Sequence, residues 1–322
     1  MNCNFMPFKI KIVAIIATFF LLFGSIGHAD ERLNVVATTG MIADTTRAIG
    51  GEHVTVQGLM GPGVDPHAYR QTRSDIRALT NADLVLWHGL YLEAQLDSFL
   101  KNLSNRKPVF ALGERIDPSL LLADEDHPDR PDPHIWMDPE LWQLVSMEIR
   151  DILIEQYPEG ESTFRKNAED YQQQLAALSD YVTEITQTVP ESARILVTAH
   201  DAFGYFANAY GFDVEGIQGI STESEAGLNR IRELVDLLVD QQVKAVFVES
   251  SVSDRNIRAL IEGAKAQGHD VIIGGELFSD AMGPEGTYEG TYIGMIDHNA
   301  TTITRALGGD APSKGMQGKL TP

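Results

Sequence analysis

Residues 161–188 read ESTFRKNAEDYQQQLAALSDYVTEITQT, a stretch without Gly or Pro. Phe164, Ala168, Tyr171, Leu175, Leu178, Val182 and Ile185 recur at three and four residues, the spacing of one apolar helix face. Pro158-Glu159-Gly160 bounds it on one side and Pro190 on the other. The pattern predicts a single helix of about 28 residues, roughly 42 Å long. A small domain does not need so long a helix, so this one is expected to run along two.

Working outward, both flanks alternate short apolar runs with helical periodicity. Upstream, residues 33–37, 54–59, 84–87 and 108–111 read as strands, and 41–49, 75–81, 92–100 and 139–155 as helices. Downstream, 195–198, 245–249 and 271–273 read as strands, and 202–210, 228–241, 254–267 and 292–307 as helices. Such alternation implies βαβ units and parallel sheets. Residues 113–133 break the pattern, and their second half, ADEDHPDRPDP, reads as an exposed acidic loop. The expected fold is α/β: two Rossmann-like lobes with parallel sheets, 30–158 and 191–322, joined by one long rigid helix within 159–190. The strand ends of each lobe should face the groove between the lobes, where such sheets bind ligands.

The first residues read differently. Residues 2–29 are NCNFMPFKIKIVAIIATFFLLFGSIGHA, with Lys9 and Lys11 ahead of an apolar run over 12–23. Small residues Gly27 and Ala29 follow, so 1–29 reads as a secretory signal cleaved after Ala29. The run is too short for a bilayer span, which needs about 20 residues. No Leu-x-Gly-Cys box precedes the cut, so a free, unanchored mature protein in the periplasm is expected. Cys3, the only cysteine, leaves with the signal, which excludes intrachain disulfides and a Cys-based zinc site. The 322-residue chain carries 46 acids against 25 bases, a net charge of -21. That balance argues against nucleic acid or an anionic lipid surface as partner and suits a protein that handles cations.

The nine histidines sort by position. His28 belongs to the signal. His53, His269 and His298 lie in turns or on helix surfaces and read as solvated. His127 sits alone in the acidic loop, and His88 closes the strand at 84–87, either as support for a site or as a satisfied buried side chain. His67, His134 and His200 each fall just after a strand or at the mouth of a loop. Two of them share an Asp-Pro-His core, Asp65-Pro66-His67 and Asp132-Pro133-His134. Proline stiffens such a loop, and the neighbouring Asp can accept a hydrogen bond from the imidazole and fix its tautomer. Asp280, just past a C-terminal strand, is the fourth candidate.

These segments occur in a recognisable order: ATTGMIADTTRAIGG, LMGPGVDPHAYRQTRSDIRAL, NADLVLWHGLYLE, DPHIWMDP, TAHDAFGYFANAYG, VFVESSVSDRNIRAL, ELFSDAMG and TYIGMIDHN. In this the chain resembles, over residues 33–307, the zinc/manganese-type receptors of metal ABC transporters, the cluster A-I (family 9) solute-binding proteins. The resemblance implies that His67 and His134 ligate a metal from the N-terminal lobe, and His200 and Asp280 from the C-terminal lobe. It implies one transported ion per chain, Zn²⁺ or Mn²⁺, and an ABC permease as partner; a monomer is expected. The His at position 200 is similar to zinc or mixed zinc/manganese binders, whereas the acidic loop around His127 lacks the His-rich tract of zinc-dedicated members. Where the family has Asn, this chain has His88.

Three imidazoles and a carboxylate suit a borderline divalent ion. Two rivals share the architecture. A binder of a metal chelate or organic solute would want aromatics and Arg in the cleft. A zinc hydrolase would use His67, His134 and His200 with an open water position and Glu249 or Glu223 as base, but no HExxH helix, nucleophile elbow or Walker loop is present. Adhesion, a role attributed to some relatives, is a third rival.

Overall fold

Four parallel strands build the N-terminal sheet in the order β2-β1-β3-β4: β1 (Leu33–Ala37), β2 (Val54–Gly58), β3 (Leu84–Trp87) and β4 (Val109–Ala111). The computed structural model describes residues 1–2, 32–124, 127, 130–224 and 226–321, so the signal read over 1–29 lies, beyond its first two residues, outside the described residues. The central strands β1 and β3 are almost entirely buried, as near-continuous apolar runs must be when helices cover both faces. Helices α1 (Gly40–Gly50), α2 (Arg73–Asn81), α3 (Asp97–Leu103) and α4 (Pro139–Gln156) accompany this sheet.

The long helix is α5 (Glu161–Thr186), about 39 Å at 1.5 Å per residue. Its buried stripe contains all seven of the periodic residues quoted above. One end lies against α1 and α4, the other against the closing helix α9 (Tyr292–Ala306). The Tyr171 hydroxyl meets Thr45 Oγ1 at 3.2 Å, and the Tyr181 hydroxyl meets Thr301 Oγ1 at 3.0 Å. The helix therefore touches both lobes, and one continuous core runs from Val35 through Leu175 to Leu277 and Tyr292.

The C-terminal half contains β5 (Ile195–His200), α6 (Gly204–Tyr210), β6 (Asp213–Gln218), α7 (Leu228–Asp240), β7 (Ala245–Glu249), α8 (Arg255–Ala266) and β8 (Ile272–Leu277). β5 pairs in parallel with β6, β7 pairs in parallel with β8, and β5 lies beside β7. The α/β fold with parallel sheets and two lobes is as expected.

Three elements differ from the expectation. β6 was not anticipated: its run DVEGIQ carries two acids and a Gly, and only pairing with β5 makes it a strand. β8 extends four residues beyond the predicted end because Gly274 and Gly275 continue it. A Cβ at Gly274 would sit 2.8 Å from Ala306 Cβ, and one at Gly275 would sit 2.4 Å from Thr302 Cγ2. These glycines let α9 lie directly on the strand.

The third difference is α3, which starts at Asp97 rather than near residue 92. Gly89, Leu90 and Tyr91 all have positive φ, a costly backbone for the last two. The buried Glu93 carboxylate holds that turn, accepting from the His88 N–H at 2.8 Å, the Gly89 N–H at 3.0 Å and the Thr38 hydroxyl at 2.6 Å. Burial pushes Glu93 up to about 7, against these hydrogen bonds. The segment expected as an exposed acidic loop, 123–133, carries a bridge between Ala123 and Pro131 and buries Asp124 and Asp132, and 3-10 turns at Gly113–Arg115 and Pro118–Leu120 precede it.

Candidate metal centre

Four chain segments end at one point. The loop after β2 brings His67, and β5 ends at His200. The turn before the 3-10 segment Ile135–Met137 brings His134, and the loop after β8 brings Asp280. One ligand atom from each lies within 4.8 Å of all the others. His67 Nε2 is 3.3 Å from His134 Nε2, His134 Nε2 is 3.3 Å from Asp280 Oδ1, and His200 Nε2 is 3.2 Å from Asp280 Oδ2. A tetrahedral ion with bonds of about 2.0–2.1 Å spaces its donors by about 3.3 Å, so these edges suit a small divalent cation. All four side chains are buried, at 0–3% exposure.

The imidazoles are aimed by carboxylates behind them. Asp132 Oδ1 accepts from both the backbone N–H of His134, at 2.9 Å, and its ring Nδ1, at 2.7 Å. Glu249, at the end of β7, does the same for His200: Oε1 accepts from the backbone at 2.9 Å and Oε2 from Nδ1 at 2.5 Å. In both cases Nδ1 carries the proton and Nε2 is turned to the cluster. Asp65 differs from the expectation: Oδ1 accepts from the backbone N–H of His67 at 2.8 Å, and Oδ2 from the Thr222 hydroxyl at 2.6 Å. It fixes the loop, an Asx-type turn, and ties it to the C-terminal half.

The electrostatics follow from burying an anion among three bases. Burial disfavours the Asp280 carboxylate, but the charge and hydrogen bonds of His200 and His134 outweigh this and hold it well below the usual carboxylate range. Burial likewise opposes charge on His134 and His200. Asp132 and Asp280 nonetheless raise His134 to about 9, and Glu249 and Asp280 raise His200 well above its ordinary value. For His67 burial prevails over the pull of Asp280 and pushes it down to about 3. Without an ion the site balances its carboxylates with protons on His134 and His200. A divalent cation can replace those protons, since it needs the same lone pairs.

The remaining histidines stay outside the cluster. The His88 ring donates from Nε2 to the Pro133 carbonyl at 2.6 Å, supporting the loop that carries His134. His127 is exposed and meets Asp124 at 3.2 Å. His53, His269 and His298 are half-buried rather than solvated. Their Nε2 atoms meet Thr163 Oγ1 and the Val243 and Glu276 carbonyls, respectively. Glu249 is engaged with His200, and the exposed Glu223 accepts from the Gln95 amide at 3.0 Å. The role of Glu249 was missed because it lies 49 residues from its partner. Its only sequence signal was its place at a strand end.

A family model described as zinc-uptake complex component A, periplasmic (ZnuA), matches residues 35–306. The chain belongs to the ZnuA family. Manganese-binding lipoprotein MntA of Bacillus subtilis is 49% identical to this ZnuA-family chain over 87% of it and 91% of the relative. Zinc-binding protein TroA of Treponema pallidum is 46% identical over 87% and 90%. The solved structure of periplasmic zinc-binding TroA from Treponema pallidum superposes with a TM-score of 0.84 at 45% identity, covering 86% of this chain and 99% of that one. Among the described residues of this ZnuA-family protein, no helix is long and apolar enough to cross a membrane.

Proposed function

We propose that this chain is a periplasmic receptor that captures one divalent transition-metal ion, Zn²⁺ or Mn²⁺, through His67, His134, His200 and Asp280 and delivers it to an ABC permease. The observation that carries this reading is the convergence of three Nε2 atoms and a buried carboxylate from four separate segments. The family membership and the names of the zinc- and manganese-binding relatives support it. Four protein donors leave no open water position of the kind a zinc hydrolase keeps, which supports a non-enzymatic role. A recess of about 900 Å³ lies beside Asp132 and Asp201 but none of the four donors lines it. A chelate or organic solute filling it would not meet them, and the smaller recesses beside His67 (about 170 Å³) and Asp280 (about 60 Å³) each reach a single donor, so a bare ion is the better cargo.

The mature protein is read as free in the periplasm after cleavage behind Ala29. The Bacillus subtilis relative is named a lipoprotein, but here the only cysteine, Cys3, lies ahead of the apolar run. Competition titration of the metal-free protein with Zn²⁺ and Mn²⁺ tests the proposal. One tightly bound ion per chain is expected; no bound metal together with a retained organic solute would contradict it.

A further inference from the structure

Trp136 joins the two halves of the site. It is fully buried in the turn just after His134. Its indole Nε1–H donates to the Ser279 carbonyl at 2.8 Å, across to the segment that carries Asp280. Its own carbonyl accepts from the Tyr292 hydroxyl on α9 at 2.9 Å. The ring stands edge-on against His134, with centroids 5.1 Å apart, and against His88 at 4.9 Å. One side chain thus fixes both the imidazole on its own side and the main chain beside the carboxylate opposite.

That carboxylate needs such a tether. Among the described residues, neither Asp280 oxygen has a conventional hydrogen-bond donor apart from the imidazoles it faces. Oδ1 looks at His134 and Oδ2 at His200, so both oxygens are turned into the cluster. Their position is set by the backbone around Ser279. Asn299 on α9 brackets Phe278, accepting from its N–H at 2.9 Å and donating to its carbonyl at 2.7 Å. Trp136 holds the next residue.

Zn²⁺ is content with four donors, one carboxylate oxygen among them. Mn²⁺ binds the same donors more weakly and prefers oxygen-rich, higher coordination, so it gains more from the second oxygen. We propose that Trp136 is a positioning residue that sets metal preference, its indole N–H holding the Ser279 carbonyl so that both oxygens of Asp280 face the ion. This rests on the receptor reading above.

The test is Trp136→Phe, which keeps a buried ring and loses the N–H. Competition titration should show Mn²⁺ affinity falling by about tenfold or more while Zn²⁺ falls several-fold less, within the range expected for residues behind metal ligands. The Co²⁺-loaded variant should show stronger visible d–d bands than the parent, as coordination drops toward four. Asn299→Ser loosens the same segment from the other side and should shift the ratio the same way, so the idea stays testable if Trp136→Phe folds poorly. Trp142→Phe is the structural control: Trp142 is equally buried but donates to Thr45 Oγ1 at 3.0 Å, and its loss should lower the melting temperature without moving the ratio. An unchanged ratio, an equal loss for both ions, or the same shift in Trp142→Phe would overturn the proposal. A parent protein that binds neither ion would instead overturn the receptor reading.

Discussion

His134 and His200 are clamped in the same way by carboxylates that reach them along very different routes. Asp132 lies two residues before His134 and closes a local turn with one oxygen. Glu249 lies on another strand and uses both oxygens. The N-terminal half of the site is therefore built from short-range loop chemistry, the C-terminal half from strand neighbours. The proposed metal capture would need the same outcome of each, a neutral imidazole with Nε2 facing the ion, and two different local architectures provide for it.

If that equivalence holds, removing either imidazole should have the largest effect. His134→Ala and His200→Ala should each abolish tight metal binding, measured by metal analysis after dialysis, whereas His53→Ala should bind as the parent does. A large gap between the first two would break the symmetry. Next come the clamps: Asp132→Asn and Glu249→Gln should each weaken metal affinity by about 10–100-fold, and by similar factors in competition titrations. Near-parent binding by Glu249→Gln would mean that the C-terminal half is held by its strands alone.

The pH dependence sharpens the comparison. His134, raised to about 9, and His200, also raised, hold protons near neutral pH in the metal-free site. An ion must displace them, so affinity should fall as pH drops, by about tenfold per pH unit for each proton displaced. Calorimetry in buffers of different ionisation heat should register proton release at pH 7.5; no release would contradict this charge balance.

The smallest effect concerns the turn behind His88. Glu93→Ala would leave the buried His88 and Gly89 N–H groups without their acceptor, costing about 1–3 kcal/mol, visible as a lower melting temperature. Glu93 itself titrates at about 7 in the folded chain against 4.5 unperturbed. The folded state therefore holds the extra proton, and this residue's contribution to stability should decline as pH rises from about 4.5 to about 7. Glu93→Gln should flatten that slope.

How far the sequence could be read follows the same division. The long helix, the parallel strands and the four converging residues were all readable, because periodicity and strand ends are local and the family motifs supply the rest. β6 was not, because its polar run becomes a strand only beside β5. The late start of α3 was hidden because it depends on the Glu93 carboxylate holding three left-handed residues. The extension of β8 was hidden because the apolar run ends at Ile273 and the two glycines that continue the strand serve the close approach of α9. Asp132 could be picked out beside His134, whereas Glu249 was visible only as a strand end and its partner only through the tertiary fold.

The most direct test is anomalous diffraction from crystals of the metal-loaded protein. The account predicts one strong peak within bonding distance of Nε2 of His67, His134 and His200 and of the Asp280 carboxylate. A peak bound elsewhere, or a water molecule in place of Asp280, would contradict it.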